Sequence, residues 1–187
     1  MKKVIATLES AAPYGQSRYY KVEKLEKESD KDYEARTWRN RLHVDEKGEV
    51  FIPPMAFKHC LAQAAKYLSR KIPGKGTQTY TKHFEAGVMC TDPVGLGIKA
   101  DAVPGLWLFV PANGTPGGGK CVMKCFPRID HWRADVSFHV LDETITKAVF
   151  TEHLIEAGKF IGIGFFRPRN RGYWGRFEVV KVKWNAK

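Results

Sequence analysis

The segment Thr144–Trp184, TITKAVFTEHLIEAGKFIGIGFFRPRNRGYWGRFEVVKVKW, holds three successive elements whose order decides the fold. Thr144 to Ala157 reads as a helix, with Val149, Phe150, Leu154 and Ala157 forming its buried stripe and Gly158 placed as a C-terminal cap. Arg176 to Trp184 reads as a strand whose alternation shifts phase near Val179-Val180, as a bulge causes. Between them Gly162, Gly164, Gly172 and Gly175 alternate with Arg167, Arg169, Arg171 and Arg176 around Phe165, Phe166, Tyr173 and Trp174. Glycines let a backbone come close to a ligand, arginines favour an anionic one, and the rings offer faces for unpaired bases. Single-stranded nucleic acid is the expected partner. The glycines make neither a Walker nor a dinucleotide motif, because no Lys-Ser/Thr pair follows and the loop opens into a strand.

Working outward, Val4, Ala6 and Leu8 alternate with Lys3, Ile5 and Thr7 as a first strand, which Ala11 to Gly15 breaks. The charged stretch to about Arg41 reads as an insertion or loop. Glu49 to Ile52 is short and extended, and Pro53 and Pro54 end it, Pro54 suiting the first position of a helix. From Met55 to Lys71 the residues Phe57, Cys60, Leu61, Ala64 and Leu68 make the apolar face of that helix, with Lys58, His59, Gln63, Lys66 and Arg70 outward. Ile72-Pro73-Gly74 stops it, and a basic loop runs from Lys75 to Thr81. Gly105 to Val110 and Lys120 to Phe126 read as a hairpin with a turn-rich tip, and Val136, Phe138 and Val140 as a strand with one buried face. The order predicts an α+β fold, ferredoxin-like or RRM-like, with two helices on one face of an antiparallel sheet. It forms a single domain, 1–187, with insertions at about 10–48 and 72–130.

With 43% hydrophobic residues the chain buries a core without staples, so Cys60, Cys90, Cys121 and Cys125 are expected as reduced thiols. No apolar run reaches transmembrane length and the N-terminus lacks a signal-peptide core, which makes a cytoplasmic protein without membrane partners the expectation. The net charge of +11 favours a polyanion. The charges of residues 23 to 34 cancel, and the surplus lies in clusters at Arg36, Arg39 and Arg41, at Lys66 to Lys75, at Lys120 to Arg133 and in the C-terminal arginines. These form either one groove or several solvated faces.

Three blocks resemble a known family. Phe51-Ile52-Pro53-Pro54-Met55-Ala56-Phe57-Lys58, the helix Thr146 to Gly158 running into Gly162-Ile163-Gly164, and Arg171-Gly172-Tyr173-Trp174-Gly175-Arg176-Phe177 are similar to segments of the RAMP superfamily, in particular the backbone subunits of CRISPR effector complexes. The resemblance covers the first strand, residues 50 to 70 and residues 134 to 184. It implies an RRM-like core that coats guide RNA, packs head to tail into a filament and joins other effector subunits. Pro54, Met55 and Ala56 stand where the family has small or hydroxyl residues. Thr37-Trp38-Arg39 stands where target-cutting members carry an Asp, so target cleavage is not expected.

The candidate contacts are Lys58 and His59 at the helix start, Arg36, Trp38, Arg39 and Arg41 where cations interleave with an indole, and Arg167, Arg169, Arg171, Tyr173, Trp174 and Arg176 with the four glycines. Trp38 could equally anchor the insertion to the core. Lys120, Lys124 and Arg128 read as a solvated strand face. No cofactor is expected, and no metal, since Cys121 and Cys125 lie ~13 Å apart in extended chain. No catalytic residue is assigned. The competing reading is a guide-processing ribonuclease of the same superfamily using His43 or His59. A stand-alone single-strand binder, or a backbone-mimicking inhibitor from a phage or mobile element, is the third. RNA is preferred through the family, with single-stranded DNA open.

Overall fold

Alternation in the first strand is realised as β1, Lys2–Ser10, with Val4, Ala6 and Leu8 fully buried. It is the centre of a four-stranded sheet. On one side it pairs antiparallel with β8, Arg133–Val140, and on the other with β9, Phe177–Trp184. A two-residue strand, β4, Val88–Met89, adds to the far edge of β8. The spatial order β4-β8-β1-β9, with one helical connection after β1 and another after β8, is the split βαβ arrangement of the ferredoxin-like fold. The computed structural model describes residues 1–112 and 119–185, so the tip of the expected hairpin, 113–118, lies outside the described residues.

Two helices cover one face of this sheet. Helix α2, Pro54–Leu68, begins with Pro54 at its first turn and turns Phe57, Cys60, Leu61 and Ala64 inward. Helix α4, Lys147–Glu156, is capped by Thr146, whose hydroxyl accepts from the Val149 N–H. Both meet the sheet at Phe138: the Phe57 ring stands edge-on to it at 6.5 Å, and the Phe150 ring at 5.3 Å. Phe57 also packs edge-on against Phe177 and Trp132, so one side chain joins α2 to two strands and to the loop before β8. Burying such a ring contributes about 3 kcal/mol. The opposite sheet face carries Lys3, Ile5 and Thr7 from β1, Asp135 and Ser137 from β8 and Lys181 and Lys183 from β9. His139 of β8, opposite Lys3, is the one ring that the paired residues of this face present, and none of them is Phe, Tyr or Trp.

The phase shift in the last strand is a bulge: Thr7 faces Lys181 while Leu8 faces Val179, leaving Val180 unpaired and half exposed. Gly158 differs from expectation. The chain does not stop there but widens into a π turn, Ala157–Ile161, which closes at Gly162 with φ 68°. Gly158 is needed for another reason, since a Cβ there would fall 2.1 Å from the Phe177 carbonyl oxygen.

The two insertions are more ordered than the sequence suggests. Ser29 caps a helix α1, Asp30–Thr37, which runs into a 3-10 turn, Trp38–Arg41. In the second insertion, helix α3, Thr81–Gly87, leads into β4, so this segment supplies the edge of the core sheet. A further strand β5, Val94–Lys99, pairs with β3, Glu49–Ile52. The hairpin is β6, Gly105–Pro111, with β7, Cys121–Ile129, and a two-residue strand β2, Tyr14–Gly15, pairs with the end of β7.

Glu34 holds the first insertion to that hairpin. It is 1% exposed and accepts from both Arg41 Nη1 (2.6 Å) and Nη2 (3.2 Å), from the Cys125 N–H (2.8 Å) and from Lys124 Nζ (3.3 Å). Arg41 also donates to the Cys125 carbonyl. Removing one partner of a buried pair leaves the other charge uncompensated. Glu34→Ala is therefore expected to lower unfolding free energy by about 3–5 kcal/mol, read as a fall in the urea midpoint.

Candidate nucleic-acid interface

The loop between α4 and β9 folds back against β2 through backbone hydrogen bonds. The Phe165 N–H donates to the Gly15 carbonyl (2.9 Å), the Gly175 N–H to the Pro13 carbonyl (2.6 Å) and the Ile163 N–H to the Gly175 carbonyl (3.0 Å). Such approaches exclude side chains. A Cβ on Gly164 would lie 2.3 Å from the Gly15 oxygen, and one on Gly175 1.8 Å from the Ile163 oxygen, both at positive φ. Gly172 passes equally close to the Phe166 oxygen, and a Cβ on Gly162 would lie 2.7 Å from Pro168 Cδ. The glycines thus serve approach to the protein's own backbone.

The loop's aromatic residues divide in the same way. Trp174 is 3% exposed and lies against Gly15, where a Cβ would come 2.8 Å from its ring, so it is not available for base stacking. Phe165 stacks on Phe126 of β7 at 4.0 Å, and Phe166 stands edge-on to Trp174. Tyr173 alone of the four is an exposed ring, at 63%. Arg169, Arg171 and Arg176 are exposed, with no acidic partner among the described residues.

Beside this loop lies an open groove of about 540 Å³, lined by β2, the start of α2 and the loop. It brings together His43, His59, Arg167 and Asn170 over Tyr14 and Ser17, and none of its lining residues is acidic. The Arg167 Nε is buried without a hydrogen-bond partner. Gln16, buried at the groove's base, accepts from the His43 N–H (2.6 Å) and donates to the Phe51 carbonyl (2.8 Å), which fixes His43 relative to β3. Nothing in the sequence singled Gln16 out, because its partners are distant backbone groups. Burial, with the nearby Arg18 charge, lowers the His43 pKa, so its imidazole is held neutral. Burial pushes the Tyr14 phenol up and the Cys60 and Cys90 thiols to about 12, which keeps all three protonated.

Five other candidates are placed away from this groove or are already occupied. Lys58 does not line the groove and donates to the Glu85 carbonyl of α3. The start of α2 is also a poorer anion site than expected, because Pro54 has no N–H and the Ala56 N–H is spent on the Pro53 carbonyl. Arg36 forms a bidentate pair with Glu28 (2.7 and 2.9 Å), whose carboxyl it holds down to about 2. Arg41 is consumed by Glu34, and Trp38 is 7% exposed, packed beneath Gly105 and Cys125 as the anchor of the insertion. Arg39 stacks on the Trp38 ring at 4.2 Å with its guanidinium exposed.

No described helix is long and apolar enough to cross a membrane. Among the described residues, no group of three or more His, Cys, Asp or Glu is placed to hold a metal ion.

No protein-family model and no curated protein sequence matches the chain. Among solved structures it is similar to the crystal structure of Cmr6 from Pyrococcus furiosus, at 11% identity and a TM-score of 0.48, over 96% of this chain and 99% of that one.

Gly164→Ala is expected to destabilise the protein by about 2 kcal/mol or more, since it adds left-handed strain to a collision with the Gly15 carbonyl. Thermal unfolding measures the change, and limited proteolysis after Arg169 or Arg171 is expected to accelerate as the loop lifts from β2.

Proposed function

We propose that this protein binds single-stranded RNA without regard to sequence, as a repeating, non-catalytic backbone subunit of a CRISPR-type ribonucleoprotein. The observation that carries the reading is the groove, where His59 from α2 and Arg167 and Asn170 from the glycine loop converge without an acidic neighbour. Exposed Arg169, Arg171, Arg176 and Tyr173 lie on the same loop. Arginine and backbone-facing polar groups of this kind grip phosphates, which position a strand but carry no sequence information. Of the blocks resembling the RAMP superfamily, the start of α2 and the glycine loop line the groove. Guide RNA, further copies of the chain and other effector subunits are the partners this reading implies.

Replacing Arg167, Arg169 and Arg171 together with alanine is expected to weaken RNA binding and to flatten the plot of log K against log salt by about two units, near 0.7 for each phosphate of a single strand that is no longer neutralised. Fluorescence anisotropy at several salt concentrations measures both. Unchanged affinity and slope would remove the groove from consideration.

A second reading, a metal-independent guide-processing ribonuclease, is favoured by one observation: His43 and His59, distant in sequence, line the same groove. In that reading neutral His43 accepts the proton of a ribose 2′-hydroxyl as the oxygen attacks the adjacent phosphorus. The P–O5′ bond breaks, His59 protonates the leaving oxygen, and a 2′,3′-cyclic phosphate results. Because the His43 pKa is lowered, the base form persists into acid, and the acid limb of the pH–rate profile is expected below the ordinary histidine range. Cleavage of repeat RNA in chelator, abolished by His43→Ala and by His59→Ala, supports this reading; intact RNA excludes it.

A further inference from the structure

Ser17 lines the groove described above. That residue also borders a second open groove of about 360 Å³, lined by Arg18, Tyr19, Tyr20, Tyr33 and Lys124 over the buried Arg41. Two residues of extended chain span ~7 Å, so Tyr19 stands one short step beyond the first groove. The Arg18 charge also acts on His43, which lines the first groove. No acidic residue lines either groove.

The three tyrosines differ in a way that points to a ligand. Tyr20 shares a hydrogen bond with the Thr37 hydroxyl (3.0 Å), Tyr33 donates to the Val22 carbonyl (2.8 Å), and both are partly buried. Tyr19 is 86% exposed, the most exposed large ring among the described residues. Its backbone is nevertheless pinned, because the preceding Arg18 N–H donates to the Arg41 carbonyl (3.0 Å) and Arg41 is locked by Glu34. An exposed ring on a fixed backbone, beside a guanidinium with no acidic partner among the described residues, has the elements of a base-stacking subsite: a flat apolar face and a cation for the adjoining phosphate.

We infer that Tyr19 and Arg18 form a stacking subsite for a nucleobase, carrying a single strand out of the first groove and across the N-terminal insertion. The inference rests on the binding reading above and deepens it, assigning a base contact where that reading has only backbone contacts. Every base has a π face, so the subsite adds affinity without sequence preference.

The test compares binding of a fluorescein-labelled oligoadenylate with that of an abasic ribose-phosphate strand of equal length. Tyr19→Ala is expected to bind oligoadenylate about tenfold more weakly and the abasic strand unchanged. Tyr19→Trp is expected to retain full affinity, and Arg167→Ala to weaken both strands. The melting temperature of Tyr19→Ala is expected to match the unsubstituted protein, because the side chain is exposed. If Tyr19→Ala binds oligoadenylate as tightly as before, or loses both strands equally, while Arg167→Ala weakens both, the stacking subsite is overturned and the groove reading stands. If the unsubstituted protein binds neither strand, the binding reading falls and the subsite with it.

Discussion

The close apposition of two backbones, residues 162–175 against Pro13–Gly15, is the constraint on which the rest of this molecule's candidate site depends. Hydrogen bonds from Phe165 and Gly175 to β2 and the residue before it hold the loop flat, and they form only because Gly164 and Gly175 lack side chains at distances a Cβ cannot occupy. With the backbone thus pressed inward, Phe165, Phe166 and Trp174 fill the space against Phe126 and Gly15, and the guanidinium groups of Arg169, Arg171 and Arg176 are left facing out. The groove is the gap that remains between this loop, β2 and the first turn of α2. Lifting the loop would dissolve its walls and expose apolar rings at once.

A second constraint distributes the charge. Glu34 is buried and accepts from Arg41, Lys124 and the Cys125 amide, so residues from α1, the turn after it and β7 share one carboxylate. This network, with Arg41 over both Tyr20 and Phe126, binds the N-terminal insertion to the hairpin and, through Phe126 and Phe165, to the glycine loop. Several cations that read as ligand contacts are spent inside the protein in this way. Of the rest, Arg39, Arg169, Arg171 and Arg176 are exposed, as is Arg18, which the sequence did not single out. A large net positive charge therefore coexists with a basic cluster that is structural.

Element type was legible wherever periodicity was sustained. The stripe of α2, the alternation of β1 and β8 and even the bulge at Val180 follow from spacing alone, because one face of each element must be apolar to bury. Helices α1 and α3 were not legible: α1 is held by its Ser29 cap and one buried carboxylate rather than by an apolar stripe, and α3 is only seven residues long. Gly158 was misassigned for a related reason. A glycine after a helical stripe resembles a cap, whereas its role is to let the helix end pass the Phe177 carbonyl, a contact nineteen positions away in sequence. The site was legible only in part: Arg167 and His59 line one groove, while Trp38, Arg41, Trp174 and Lys58 turn inward or away, Arg36 is paired with Glu28 and the four glycines approach the protein's own chain.

The amino-acid sequence by itself determined three of the four core strands, β1, β8 and β9, the two helix faces that cover the sheet, and the loop that carries glycine, arginine and aromatic residues together. Those are local properties, set by the repeat of apolar positions and by where glycine and proline interrupt it. Tertiary structure decided which charges are free and which are paired, which rings are buried, and that His43, His59 and Arg167 line one groove and Tyr19 another that shares Ser17 with it. Composition cannot contain that information, because a cation's availability depends on whether a carboxylate from a distant segment reaches it, and only the folded chain brings Glu34 to Arg41 and leaves Arg167 beside His59.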